Sequence, residues 1–161
     1  MAAGKTSPQM TRQYHTSSAE ETIQAGRDLA SLLSPPVLVV LTGDLGAGKT
    51  TLDKGIAEGL RAAEEEDVTS PTFTLVHEYH GPSANLFHID LYRVDTERQL
   101  LTLGLDDLRD SNNILLIEWG EKFQSFQRER DVEIIIRRIG ENEREINVLF
   151  TAEPRRNGEV R

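Results

Sequence analysis

Eight consecutive residues, Gly43-Asp44-Leu45-Gly46-Ala47-Gly48-Lys49-Thr50, combine three glycines with one ammonium and one hydroxyl. The spacing is G-x-x-x-x-G-K-(S/T), and each residue type has a physical role. Glycines let successive main-chain N–H groups turn toward phosphate oxygens with no Cβ in the way. Lys49 is placed to reach the β- and γ-phosphates, and the Thr50 hydroxyl to ligate Mg²⁺. A helix that follows such a loop adds about half a positive charge at the same point.

Phosphate chemistry of this kind also needs an acid to hold the metal and its water. Open α/β sheets place such groups at the carboxyl ends of strands. Asp90 in LFHIDLY and Glu118 in ILLIEW are the candidates, and Glu118 is expected to emerge near the phosphate loop. Ser70-Pro71-Thr72-Phe73 reads either as a plain turn or as a switch-like loop in which Thr72 senses the γ-phosphate or Mg²⁺. His77, His80 and His88 suggest a metal site, with His88 and Asp90 on one strand face. With no cysteine and no clear third ligand, the bland reading is preferred. Trp119, the single tryptophan, reads as core or as a neighbour of the nucleotide.

The elements that position these groups follow from pattern. VLVVLT (37–42) is a short β-branched run bounded by Pro and Gly, hence a buried strand, and TLDKGIAEGLRAA after the loop suits a helix. Ser17 and Ser18, with Glu20 and Glu21 behind them, cap a helix over about 18–33 that Pro35 and Pro36 end. FTLVHEYH (73–80) and NLFHIDLY (85–92) form a hairpin across Gly81-Pro82-Ser83. Residues 96–101 suggest a short helix, and ILLIEW (114–119) another buried strand. VEIIIRRI (132–139) and REINVLF (144–150) make a second hairpin that closes the sheet. The class is α/β: a single P-loop NTPase domain with a mixed sheet, parallel at its centre, flanked by helices. Residues 1–16 read as a disordered tail, 17–151 as the domain and 152–161 as a flexible end. The run Glu64 to Asp67 reads as a solvated loop.

The chain has 161 residues, enough for one domain with a real core. It lacks cysteine, which excludes disulfides and thiolate chemistry and suits a reducing cytoplasm. No apolar stretch reaches transmembrane length and the first residues lack the core of a secretory signal, so cytoplasm is the expected location. With 18 basic and 27 acidic side chains the net charge is −9, so the chain does not grip nucleic acid by charge alone. The absence of an N-K-x-D motif favours ATP over GTP.

Taken together and in order, GDLGAGKTT, SPTF, HIDLYR and IEWGEK resemble the TsaE (YjeE) family, over about Ser17 to Phe150. The resemblance implies a bacterial ATPase needed for threonylcarbamoyladenosine on the adenosine beside the anticodon of tRNAs that read ANN codons. In that scheme TsaC makes threonylcarbamoyl-adenylate, TsaD with TsaB transfers the group, and TsaE binds the TsaB–TsaD complex. Its ATP hydrolysis supports repeated turnover, and it touches tRNA indirectly. By position, Gly46 to Thr51 match the ATP-binding stretch, Thr50 with Mg²⁺ and Thr51 with nucleotide. Asp90 and Glu118 match the acidic pair, Glu118 as the metal-site group. Trp119 matches an aromatic beside the site, Arg144 an arginine that reaches nucleotide, and Ser70, Thr72 and Phe73 the switch-like loop. Two positions depart: Leu52 stands where Phe is common, changing the packing under the loop, and Gly120 where Pro is frequent.

These readings predict slow ATP hydrolysis that partners stimulate, with Lys49, Asp90 and Glu118 as the catalytic groups. A small-molecule kinase, with Asp90 as base, and a nucleotide-sensing module of negligible turnover are the alternatives.

Overall fold

Apolar strands at the centre and more polar strands at the rim order the single sheet of this computed structural model, which describes residues 10–44, 46–62 and 76–151. Across the sheet the order is β1 (Met10–Thr16), β7 (Arg144–Phe150), β6 (Val132–Arg138), β2 (Val37–Thr42), β5 (Asn113–Glu118), β4 (Asn85–Asp90) and β3 (Val76–His80). β2 lies parallel to β5 and β6, and β4 lies parallel to β5. The outer pairs β3–β4, β6–β7 and β1–β7 are antiparallel. Parallel strands must be covered on both faces, and β5 is buried at every position.

Strand alternation divides the core in two. Val37, Val39 and Leu41 face the side of α1 (Ala19–Ala30) and α2 (Lys49–Gly59), with Leu29, Leu52 and Ile56. Leu38 and Val40 face the side of α3 (Glu97–Thr102) and α4 (Gln124–Glu129), with Leu100, Phe123 and Phe126. The Ser18 side chain caps α1 by accepting from Glu21 N at 3.1 Å, and Glu21 Oε1 accepts from Ser17 N at 2.7 Å. Thr96 and Gln99 form a full capping box on α3.

α1 and α2 meet main chain to main chain. A Cβ on Gly26 would lie 2.5 Å from Leu52 O, and one on Gly55 would lie 2.1 Å from Ile23 O. Glycine is required at both positions for this approach. Leu52, the departure from Phe, is fully buried beneath the loop.

The expected disordered tail over 1–16 is corrected at its end. Met10–Thr16 is a strand, paired residue by residue with β7 from Met10↔Phe150 to Thr16↔Arg144. The domain therefore begins before residue 17. Its edge position explains the error, because a rim strand needs ladder hydrogen bonds and little apolar alternation. The run Glu64 to Asp67, residues 73–75, and the two terminal segments 1–9 and 152–161 lie outside the described residues.

Candidate functional site

The glycine loop connects β2 to α2. Gly46 has φ +82° and Gly48, the residue before α2, has φ +106°, both in the left-handed region. At Gly43 the reason for glycine is space, since a Cβ would approach Ile136 to 2.8 Å. α2 has no side-chain cap and no acidic residue in its first turn. That is the composition expected where an anion takes the first amides. Lys49 opens the helix and is 7% exposed.

The two acids stand side by side at the carboxyl ends of neighbouring parallel strands, Asp90 opposite Glu118 in register. Both are buried. Asp90 Oδ1 accepts from Tyr92 N at 2.8 Å, which turns the chain out of β4. Glu118 Oε1 lies 3.7 Å from Lys49 Nζ. As expected, the acid that ends β5 reaches the phosphate loop.

His88 sits behind these acids. Its Nε2 is 2.5 Å from Glu118 Oε2 and 2.9 Å from Asp53 Oδ2, and all three side chains are almost fully buried. Among the described residues neither oxygen of Asp53 accepts a well-aligned hydrogen bond, so the Asp53 contact is ionic. Burial works against a charged imidazole, but the two carboxylates outweigh it and raise His88 to about 10. Burial pushes Asp53 up to about 7 against the pull of His88. Burial would raise Glu118 too, yet the His88 hydrogen bond, with help from Lys49, holds its carboxyl below the usual range.

Aromatic groups wall the site. Lys49 Nζ lies 4.6 Å from the centre of the Trp119 ring, a cation–π distance. Trp119 turns out of β5 with φ +67° and packs on Tyr92, ring centres 5.1 Å apart. Lys122 Nζ donates to the carbonyls of Leu91 and Tyr92, each at 3.0 Å. It thereby ties the turn after β4 to the turn after β5. Gly120 is buried under this turn, and a Cβ there would come within 3.0 Å of Ile117.

On the other wall, Arg144 at the start of β7 lies against Gly48, where an added Cβ would sit 3.3 Å from its Nε. Its Nη1 donates to Glu143 O at 3.0 Å, with longer contacts to the carbonyls of Glu141 and Gly140. These contacts hold the guanidinium at the mouth of the loop.

One cleft of about 470 Å³ joins these groups: Gly46, Gly48, Lys49, Thr50 and Thr51 from the loop, Asp90 and Glu118 from the strands, and Trp119, Tyr92 and Arg144 from the turns. A glycine-lined floor, one ammonium, a guanidinium and two carboxylates can hold a polyphosphate. The hydroxyl of Thr50 and the carboxylates of Asp90 and Glu118 are hard oxygen donors that fit Mg²⁺. Gly43, Asp44 and Ala47 line a second cleft on the far side of the loop, with Ile135 to Arg138. Leu45, Ser70, Thr72 and Phe73 lie outside the described residues.

The three histidines do not gather. His77 Nδ1 is 3.3 Å from the Tyr79 hydroxyl, and His80 contacts Glu78 and Asn85 at the surface. The groups that sequence reasoning missed are Asp53, Tyr92 and Lys122. Asp53 alone carried a signal: it lies four residues after Lys49 on α2, hence on the same helix face.

The profile of the family described as "Threonylcarbamoyl adenosine biosynthesis protein TsaE" matches residues 16–146. The chain is 39% identical over 139 residues to the tRNA threonylcarbamoyladenosine biosynthesis protein TsaE of Bacillus subtilis, covering 86% of this chain and 84% of the relative. It is 40% identical to the protein of that name from Treponema pallidum, covering 81% and 95%. The crystal structure of Bacillus subtilis YdiB superposes with a TM-score of 0.69 at 32% identity, covering 89% of this chain and 87% of that one.

Proposed function

The chain belongs to the TsaE family, and we propose that it binds and slowly hydrolyses ATP in support of threonylcarbamoyladenosine formation on tRNA, working with TsaB and TsaD. The observation that carries this reading is the single cleft in which Lys49 and Glu118 lie 3.7 Å apart above the glycine loop.

In this reading the loop amides and Lys49 bind the β- and γ-phosphates and offset the charge that develops on them. Arg144 and Thr51 contact the nucleotide, and Trp119 shields it from water. Thr50, Asp90 and Glu118 hold Mg²⁺, with Glu118 the principal acid, and one of the two carboxylates orients the attacking water. Bound Mg²⁺ supplies charge neutralisation on the phosphate oxygens. Ser70, Thr72 and Phe73 form the switch-like loop. Arg144 is committed by Nη1 to carbonyls of its own turn, which supports a low rate in isolation and acceleration by the TsaB–TsaD complex. The net charge of −9 supports an indirect relation to tRNA, through partners that supply the basic surface. Among the described residues no helix is long and apolar enough to cross a membrane. A cytoplasmic location goes with this reading.

Calorimetry of ATP with Mg²⁺, followed by phosphate release with and without TsaB and TsaD, tests the assignment. Magnesium-dependent uptake and a rate raised by the partners are expected. No uptake by the folded wild-type protein would end the nucleotide reading, and an unchanged rate would end the partner reading.

A further inference from the structure

Glu118 has a different partner on each oxygen. Oε2 is held by His88 Nε2 at 2.5 Å, and Oε1 faces Lys49 Nζ at 3.7 Å. A lysine that grips phosphate must turn away from this carboxylate and from the Trp119 ring, 4.6 Å distant. Were Lys49 the sole partner, its departure would strand a carboxylate in a site where Glu118 is 4% exposed. Stranding a buried charge is costly, and the cost would be subtracted from nucleotide affinity.

We propose that His88 is a positioning residue that keeps Glu118 partnered when Lys49 turns to phosphate, and that Asp53 holds His88 in place from α2. The inference rests on the nucleotide reading of the cleft. His88 is the resident partner because it is 1% exposed, stands on the strand next to that of Glu118, and has Asp53 Oδ2 beside the same Nε2 at 2.9 Å. Lys49 is the exchangeable one, because its contact is longer and it lines the cleft. Asp53, one helical turn beyond Lys49, links this arrangement to the helix that carries the phosphate loop.

The same three side chains also have the composition of a metal site. Their spacing argues for a shared proton instead. Two ligands at about 2.1 Å from one cation lie roughly 3 Å or more apart. The 2.5 Å separation of His88 and Glu118 is a hydrogen-bond distance.

The test is a thermodynamic cycle read by calorimetry with ADP in the absence of Mg²⁺, so that loss of a metal ligand does not enter. His88→Leu should weaken ADP binding roughly ten-fold in the wild-type background, the factor expected for one stranded buried group. In the Glu118→Gln background the same change should alter binding by less than about three-fold, because a neutral amide does not depend on either cation. His88→Gln keeps an N–H donor and should stay within about three-fold of wild type. If His88→Leu does not fold, His88→Asn, whose shorter amide falls short of Glu118, carries the same cycle. An equal loss in both backgrounds would mark His88 as merely structural and overturn the proposal, as would no loss in either. ADP uptake by wild type without any His88 effect overturns this inference alone. Wild type that takes up ATP with Mg²⁺ but no ADP without it also overturns this inference alone, and no uptake under either condition overturns the nucleotide reading with it.

Discussion

On the face of β4 and β5 that meets α2, the alternating positions are Leu86, His88 and Asp90, and Ile114, Leu116 and Glu118. On the opposite face they are Phe87 and Ile89, and Leu115 and Ile117, all packed among apolar side chains of α3, α4 and the turns. Both faces are buried, yet only one carries charge, and only at the carboxyl end. The apolar face gains stability from every residue it buries. The charged face places an imidazole, three carboxylates and an ammonium where each must be matched by a neighbour. Strand alternation thus lets neighbouring residues serve separate ends, Ile117 for cohesion and Glu118 for chemistry.

The sharpest way to break this division is a large cut on the apolar face. Leu115→Ala should lower stability by about 2–5 kcal/mol in urea unfolding. It should leave nucleotide affinity within about three-fold, and a larger change would show that the faces are not independent. Lys49→Ala is the converse. It should weaken ATP binding about 100-fold, or about 2.7 kcal/mol, by calorimetry. Its unfolding free energy should move by less than about 1 kcal/mol, because Glu118 retains His88.

A smaller effect separates the faces by pH. His88 is raised from 6.5 to about 10, so the folded protein holds that proton more tightly than the unfolded chain. Its contribution to stability is complete below 6.5 and is lost as pH rises toward 10. Asp53, raised from 3.8 to about 7, acts in the same sense at lower pH. Glu118, which is lowered, acts oppositely and loses its contribution on acidification. Urea unfolding at pH 6.5 and near pH 10 should therefore show a decline that is smaller by more than about 1 kcal/mol in His88→Gln. An identical decline would remove His88 as its source. Smallest is Thr96→Ala, which deletes the α3 cap. It should cost about 1 kcal/mol in the same assay and leave nucleotide affinity unchanged.

The parts legible from sequence are those whose local pattern matches their environment. β2 and β5 are unbroken apolar runs because both their faces are covered, and the glycine loop between β2 and α2 has its own spacing. β1 was illegible because MTRQYHT has a rim strand's composition, and only its seven partners in β7 make it a strand. α4 (Gln124–Glu129) escaped notice because Phe126 is the single residue it buries. In the site, the approach of Asp90 and Glu118 to the loop followed from strand polarity. The contact of His88 with Asp53 did not, since it depends on how closely α2 lies on the sheet. The acidic neighbour that the histidine reading lacked was therefore on a helix, and it meets His88 in an ionic contact at 2.9 Å.

Gly26 and Gly55 bring α1 and α2 together with no side chain between them. Such a seam has no soft layer to compress, so the two helices shift as one block. The floor on which phosphate would rest is therefore anchored to a helix that itself touches no part of the cleft. Accommodation to different occupants then falls to the facing wall, where Trp119, Tyr92 and Lys122 meet through a ring contact and a few hydrogen bonds between turns.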